Sequence, residues 1–196
     1  YYGSFYIRIN DKDPNFRILK SQDFYSIVFK QIVRARKSVN IQGVYFSKNY
    51  YVIEEGINGL SKFRVFNYED KYLREIEFPD ECYSATIVEL PFESEVLRIR
   101  YSSLNRPETI IDFEYESAKS VIKKVKEVTS GFKQDLYISK RLLAKSWDGT
   151  YIPISILYRK DLFRSNGTNP LYLYGYGAYG YGIKPEFNPN TLSLVD

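Results

Sequence analysis

The sequence predicts a mostly β protein whose first two-thirds is organised as successive blades of a β-propeller. Three observations carry this. Apolar and polar residues alternate over short runs that are bounded by turn residues. The runs recur in cycles of roughly 40 to 50 residues, the length of a four-stranded blade. Aromatic residues make up 17% of the chain, with 20 Tyr and 13 Phe among 196 residues, a bias toward side chains that strands favour.

The first cycle opens with "SFYIRIN" (4–10), which places Phe5, Ile7 and Ile9 on one face. "NDKDPN" follows as a turn, and "FRILK" resumes the extended pattern. After a longer connection come "VYFSKNYYVIEE" (44–55), a turn over Gly56 to Gly59, "KFRVFNYE" and "YLREIEFP", the last closed by Pro79. A third cycle runs through "ATIVEL", "EVLRIRYSS", "ETIIDFEYE" and "SVIKKVKEV". In the last of these, Val121, Ile122, Val125 and Val128 would also suit one face of a helix; its strand neighbours favour a strand.

The pattern changes near "TSGFKQD" (129–135). Two extended runs, "YISKRLLAKS" and "TYIPISILYRK", flank "WDG", where Asp148-Gly149 suits a hairpin turn. Ile152, Ile154 and Ile156 share a face, and Pro153 confines its position to a sheet edge or a bulge. "RSNGTNP" is a loop whose Asn166-Gly167 reads as a plain turn rather than a glycosylation acceptor. "PLYLY" (170–174) reads as a short buried strand that leads into the tyrosine-glycine block "GYGAYGYG".

Composition narrows the function classes. No apolar run approaches the ~20 residues of a membrane-spanning helix, nor is there a signal-peptide pattern, so a soluble, cytoplasmic protein is expected. The single cysteine, Cys82, excludes an internal disulfide and suits a reducing compartment. The net charge of +4 is small for 28 basic and 24 acidic residues. The clusters Arg34, Arg36, Lys37 and Lys119, Lys123, Lys124, Lys126 therefore read as solvated faces rather than nucleic-acid contacts. The Tyr/Gly block could stack on bases, but it has no interleaved Arg or Lys and only Lys184 nearby, so no nucleic-acid partner is expected. The chain contains no His, which rules out a complete Ser/His/Asp or Cys/His apparatus, and no G-x-S-x-G elbow. It also contains no Met, so Tyr1 is not a translation start, and the sequence reads as a piece of something larger.

The stretches "WDGTYIPISILYRKDLF", a loop ending "NP", "LYLYGYGAYG" and the later "LSLVD" together resemble the prolyl oligopeptidase family of serine peptidases, in particular its oligopeptidase B (protease II) branch. "DPNFRIL" and "NGLSKFRVF" upstream are similar to propeller strands of that family. The resemblance covers essentially the whole chain. It implies a partial β-propeller of about three blades over residues 1–129. Residues 130–196 would be the N-terminal portion, the first strands, of an α/β-hydrolase peptidase domain. It further implies cleavage of short peptides after Lys or Arg, with neither metal nor cofactor. The nucleophile, acid and base would all lie beyond Asp196, so the chain alone is expected to be inactive.

Acyl transfer needs two donors aimed at the developing oxyanion, one of which α/β-hydrolases take from the loop after the third strand. By resemblance Tyr176 supplies that donor through its hydroxyl, and a phenol, protonated at neutral pH, can donate to O⁻. Gly175 and Gly177 would let the backbone bend around it. By the same matching Tyr179 falls on an aromatic wall of the substrate pocket. On spacing alone these tyrosines read as packing and the glycines as turns, and Tyr174 and Tyr181 are left as packing. Asp112, Asp135 and Asp148 are available acids for which turn or surface roles are expected. Expected partners are short basic peptides in the complete enzyme, a separate chain carrying the rest of the peptidase domain, and further copies of the chain through self-association. The competing reading is a non-enzymatic β-propeller used for protein interaction.

Overall fold

The computed structural model describes residues 3–23, 25, 28–129 and 131–196. Tyr1, the first residue of the expected propeller domain, and Ser130, within the stretch where the pattern changes, lie outside the described residues. Thirteen strands, one short 3-10 turn at Gln134–Leu136 and one helix are present among the described residues. They fall into two compact units, residues 1–77 with 89–95, and residues 78–88 with 96–196.

The first unit holds two antiparallel sheets. One is β1 (Phe5–Ile9), β2 (Arg17–Ser21) and β3 (Lys30–Val33), in that order. The other is β4 (Val39–Phe46), β5 (Tyr50–Ile57), β6 (Leu60–Asn67) and β7 (Tyr72–Ile76), also in chain order. Strand β3 was hidden in the long connection: it is four residues long and begins with exposed Lys30 and Gln31, so it shows no alternation. The run 44–55 is two strands, because Ser47 folds back on Tyr50, its N–H and its hydroxyl both donating to the Tyr50 carbonyl at 2.9 and 3.1 Å. Asn58 and Gly59, at φ 50° and 76°, close the β5–β6 hairpin with the two left-handed residues that a tight type I′ turn requires.

The core of this unit gathers Ile18, Val33, Ile41, Tyr51, Ile53 and Phe66, with Tyr6, Phe46 and Tyr68 packed against it. Tyr51 is its hub. Its ring stacks on Phe66 at 5.2 Å, Tyr6 lies tilted at 5.5 Å, and its hydroxyl donates to Asp70 at 3.2 Å. Burial, reinforced by the Asp70 charge, pushes this phenol's pKa up and keeps it a donor. Lys20 completes the group, donating to both Asp70 oxygens and to the Tyr68 carbonyl.

The second unit holds a four-stranded antiparallel sheet of β8 (Ser84–Val88), β9 (Val96–Ser103), β10 (Arg106–Glu114) and β11 (Ser120–Val125). Ile87, Ile99, Ile111 and Ile122 form one row across all four strands. Residues 120–125 are strand, not helix, paired to β10 through a bulge, and every residue of that edge is exposed. β12 (Tyr137–Lys145) and β13 (Tyr151–Arg159) form a separate hairpin, which Ser146 closes by bonding to Thr150 at 2.7 Å, with Gly149 at φ 86°. Pro153 sits on the open edge of β13, where its missing N–H leaves no ladder bond unmade. Helix α1 (Pro189–Val195) ends the chain, capped by the Asn188 side chain.

Three sheets of three, four and four strands in chain order, each built from hairpins between neighbours, are what a partial β-propeller requires. One expectation is corrected. Residues 170–174 are neither strand nor buried; Leu171 and Leu173 are each 78% exposed. A lone extended segment cannot satisfy its own backbone groups, and among the described residues no strand pairs with it.

Several carboxylates are buried and paired. Glu55, 1% exposed, accepts from Arg64 at 2.9 Å and also from Arg36, while Glu54, on the opposite face of β5, accepts from Tyr45 and Ser61 at 2.7 and 3.0 Å. Glu55→Ala strands Arg64 against its aromatic neighbours Phe66 and Tyr72. We expect that change to cost about 3 kcal/mol in urea denaturation followed by circular dichroism. A loss below about 1 kcal/mol would put the group on a par with surface ion pairs.

Candidate functional site

The segment from Leu171 to Gly182 is reached from β13 through tightly bonded turns. The Lys160 N–H donates to the Leu136 carbonyl at 2.9 Å, and Arg159 holds Asp161 through two bonds of 3.0 and 2.7 Å. Gly167, at φ 78°, lets Asn166 accept from the Thr168 N–H and hydroxyl, the plain Asn-Gly turn expected there. Beyond it the chain runs exposed.

Tyr176 is 51% exposed and Tyr179 is 92% exposed, and neither hydroxyl bonds to a described residue. The bend lies elsewhere than expected. Gly175 and Gly177 keep ordinary φ values, whereas Tyr179 and Gly180 stand at 56° and 74°, with the Tyr181 N–H donating to the Ala178 carbonyl at 3.0 Å. Two consecutive left-handed residues make a tight turn of the primed kind. For a tyrosine that backbone is unfavourable by roughly 1–2 kcal/mol, since its Cβ crowds the carbonyl. Tyr174 and Tyr181 are exposed too, so none of the block's tyrosines packs into a core among the described residues.

The segment returns to the fold at Pro185, which is fully buried. There Glu186 and Phe187 meet the sheet of β8–β11. Ser84 donates to Glu186 Oε1 at 2.8 Å, and the Phe187 N–H donates to Ser102 Oγ at 2.9 Å. Phe187 sets its ring edge-on to Phe132 at 4.9 Å, and Phe132 stacks on Tyr137. The Tyr137 hydroxyl donates to Asp196 at 2.7 Å, and Arg159 reaches the same oxygen at 3.1 Å. A cleft of about 570 Å³ opens beside Ser84, Arg100, Ser102, Lys126 and Glu186.

A second polar group, which no motif announces, ties the start of this unit to the β9–β10 hairpin. Asp80 accepts from Tyr101 at 2.6 Å and from Arg106 at 2.8 Å. Burial alone would raise the Asp80 pKa, but the bonds from Arg106 and Tyr101 outweigh it and hold this carboxyl below the ordinary range. Burial pushes the Tyr101 phenol up. Asn105, in the same hairpin, donates to the Tyr137 carbonyl at 3.1 Å. The lone thiol of Cys82, fully buried 2.8 Å from Ser139 Oγ, is pushed up by burial and suits packing rather than nucleophilic work.

The three available acids have structural partners or open positions. Asp112 pairs bidentately with Arg98 at 2.7 and 2.8 Å, Asp148 accepts from the Thr150 N–H within its turn, and Asp135 is exposed in the 3-10 turn. Among the described residues no cluster of His, Cys, Asp and Glu could hold a metal ion, and no helix is long and apolar enough to cross a membrane.

Comparison with known proteins agrees with this architecture. Residues 2–126 match the family model described as the prolyl oligopeptidase N-terminal β-propeller domain. Dipeptidyl aminopeptidase BI of Pseudoxanthomonas mexicana is 29% identical over 170 residues, spanning 86% of this chain and 23% of that protein. Protease 2 of Moraxella lacunata is 26% identical over 193 residues, spanning 97% of this chain and 27% of that one. The structure of oligopeptidase B from Trypanosoma brucei with covalently bound antipain, in its closed form, superimposes with a TM-score of 0.88 at 27% identity, over 98% of this chain and 29% of the other. The chain thus spans about a quarter of the length of these curated relatives.

The Asp80 geometry sets a pH dependence. The folded carboxyls of Asp80 and Asp112 lie below their unfolded values, so the stability they contribute is complete above the ordinary carboxylate pKa of about 4 and is lost as pH falls through the folded values. Acid titration followed by circular dichroism should show stability falling below about pH 4, and Asp80→Asn should flatten that fall while lowering stability at pH 7. An Asp80→Asn profile parallel to wild type would remove Asp80 from the acid transition.

Proposed function

This chain belongs to the prolyl oligopeptidase family, through its N-terminal β-propeller domain, and from that premise we propose that it is part of a serine-type oligopeptidase that cleaves short peptides after Lys or Arg. Residues 1–129 are read as the closing blades of the propeller, and residues 130–196 as the opening of the α/β-hydrolase peptidase domain. The observation that carries the reading is continuity. The chain that matches the family's propeller model runs on through the β12–β13 hairpin into the tyrosine-glycine segment without interruption. Oligopeptidase B neighbours that align over this same span support the Lys/Arg branch.

In this reading the serine attacks the scissile carbonyl, and the π pair moves onto its oxygen. Tyr176, whose hydroxyl has no bond to a described residue, donates to that oxyanion. Tyr179 stands with its ring in solvent and forms an aromatic wall for the substrate. The chain has no histidine to take the serine's proton, and the nucleophile and acid are assigned outside it. No metal or cofactor takes part. Cytoplasmic work suits the single cysteine.

Tyr176→Phe in the complete peptidase removes one oxyanion donor. It should lower kcat by about 10- to 1,000-fold on arginyl and lysyl fluorogenic peptides, with KM little changed. A kcat within twofold of wild type would sink the assignment.

The isolated chain is expected to hydrolyse no such peptide. Leu142, Leu143, Tyr151 and Ile152, all exposed on the β12–β13 hairpin, should drive it to self-associate unless a separate chain carrying the rest of the peptidase domain covers them. Light scattering during size exclusion checks the second point, and a sharp monomer peak would contradict it.

A further inference from the structure

Ser84 and Ser102 are directly opposed across β8 and β9, so both hydroxyls rise from one face of the sheet. Each is 7% exposed. Their partners are consecutive residues of the returning segment. Ser84 donates to the Glu186 carboxylate, while Ser102 donates its one proton to the Arg106 carbonyl at 3.0 Å and accepts from the Phe187 N–H. A serine hydroxyl has one hydrogen and two lone pairs, so Ser102 can serve both neighbours at once. Pro185, buried immediately before, and Phe187 against Phe132 anchor the same three residues. Between Lys160 and Pro185 the chain is otherwise exposed, with its own turns at 164–169 and 178–181.

We propose that Ser84 and Ser102 are positioning residues: by clamping Glu186 and Phe187 they hold the returning end of the tyrosine-glycine segment close behind it, and so set where Tyr176 stands. The proposal rests on the reading of Tyr176 as an oxyanion donor. Without the clamp the next ties beyond Phe132 against Phe187 are at Leu192 and Asp196, and a longer loop samples more positions than a shorter one. A donor displaced by about 1 Å forfeits much of its effect on a reacting atom.

The test uses the protein expressed from its complete gene. In Ser84→Ala/Ser102→Ala, amide hydrogen exchange should rise about tenfold at Phe187 and at the bonded amides of Tyr181 and Glu186, with β10 unchanged. Because Glu186 is exposed, its variants avoid the core: Glu186→Gln, which keeps the acceptor, should behave as wild type, and Glu186→Ala should speed exchange. The serine double variant should lower kcat about tenfold at a KM within about twofold, and lower it no further when Tyr176 is already Phe. Unchanged exchange overturns the clamp. An equal kcat loss in the Tyr176→Phe background overturns it as a device acting through Tyr176. If Tyr176→Phe alone leaves kcat unchanged, the oxyanion reading fails instead. Exchange at Tyr181 and Glu186 then decides the clamp: faster exchange upholds it and unchanged exchange overturns it.

Discussion

Antiparallel pairing between immediate sequence neighbours is the constraint from which the rest of this molecule follows. Every sheet lists its strands in chain order, so each hairpin satisfies most of its own backbone donors and acceptors as it closes. Such a sheet leaves two faces and two edges to be dealt with by side chains. On one face of the last four-stranded sheet Ile87, Ile99 and Ile111 are buried across β8, β9 and β10. Its opposite face is polar, and there Arg98 with Asp112 and the Ser84–Ser102 pair supply partners for groups that burial would otherwise penalise. The edges are met with charge: β11 carries Lys123 and Lys124 along an entirely exposed strand, a composition that discourages pairing with a second sheet.

A second regularity links the two units without any sequence repeat to announce it. In the first, Tyr51 donates to Asp70 while Lys20 neutralises the carboxylate; in the second, Tyr101 donates to Asp80 while Arg106 does so. Each tyrosine is essentially fully buried in an inner strand, and each aspartate lies in a connecting segment. Burial raises both phenols and so keeps them donors. The aspartate is thereby the acceptor that lets a large aromatic ring enter the core with its hydroxyl satisfied. Where each connecting segment runs is then fixed by a buried ring rather than by the loop's own conformation.

How much of this was legible in the sequence depended on whether the signal was local. Alternation in "FRVFN" and "VLRIRYSS" marked β6 and β9 because one face of each is buried. The turn read over Gly56 to Gly59 closes at Asn58 and Gly59, Gly56 and Ile57 belonging to β5, and Asp148-Gly149 marked its hairpin through the positive φ of Gly149. β3 escaped because four residues are too few to alternate, and the break at Ser47 escaped because alternation runs straight across it. Residues 170–174 misled for the opposite reason: the pattern for burial is there, but burial also needs a neighbouring strand, which is a tertiary property. In the site, the resemblance singled out Tyr176 and Tyr179, while the actual bend at Tyr179–Gly180 and the serine pair that holds the returning chain had no local signature. Two serines 18 residues apart become a pair only through the β8–β9 register.

The chain-order topology has a consequence for synthesis. A ribosome releases the polypeptide from its N-terminal end at about 5–20 residues per second, far slower than the microseconds a hairpin takes to close. Because no strand in these sheets waits for a partner from a later sheet, each can reach its full complement of backbone bonds before the next is made. The nascent chain therefore exposes at most one unfinished ribbon at a time, which keeps a strand-rich, aromatic sequence from pairing with its neighbours on the same message.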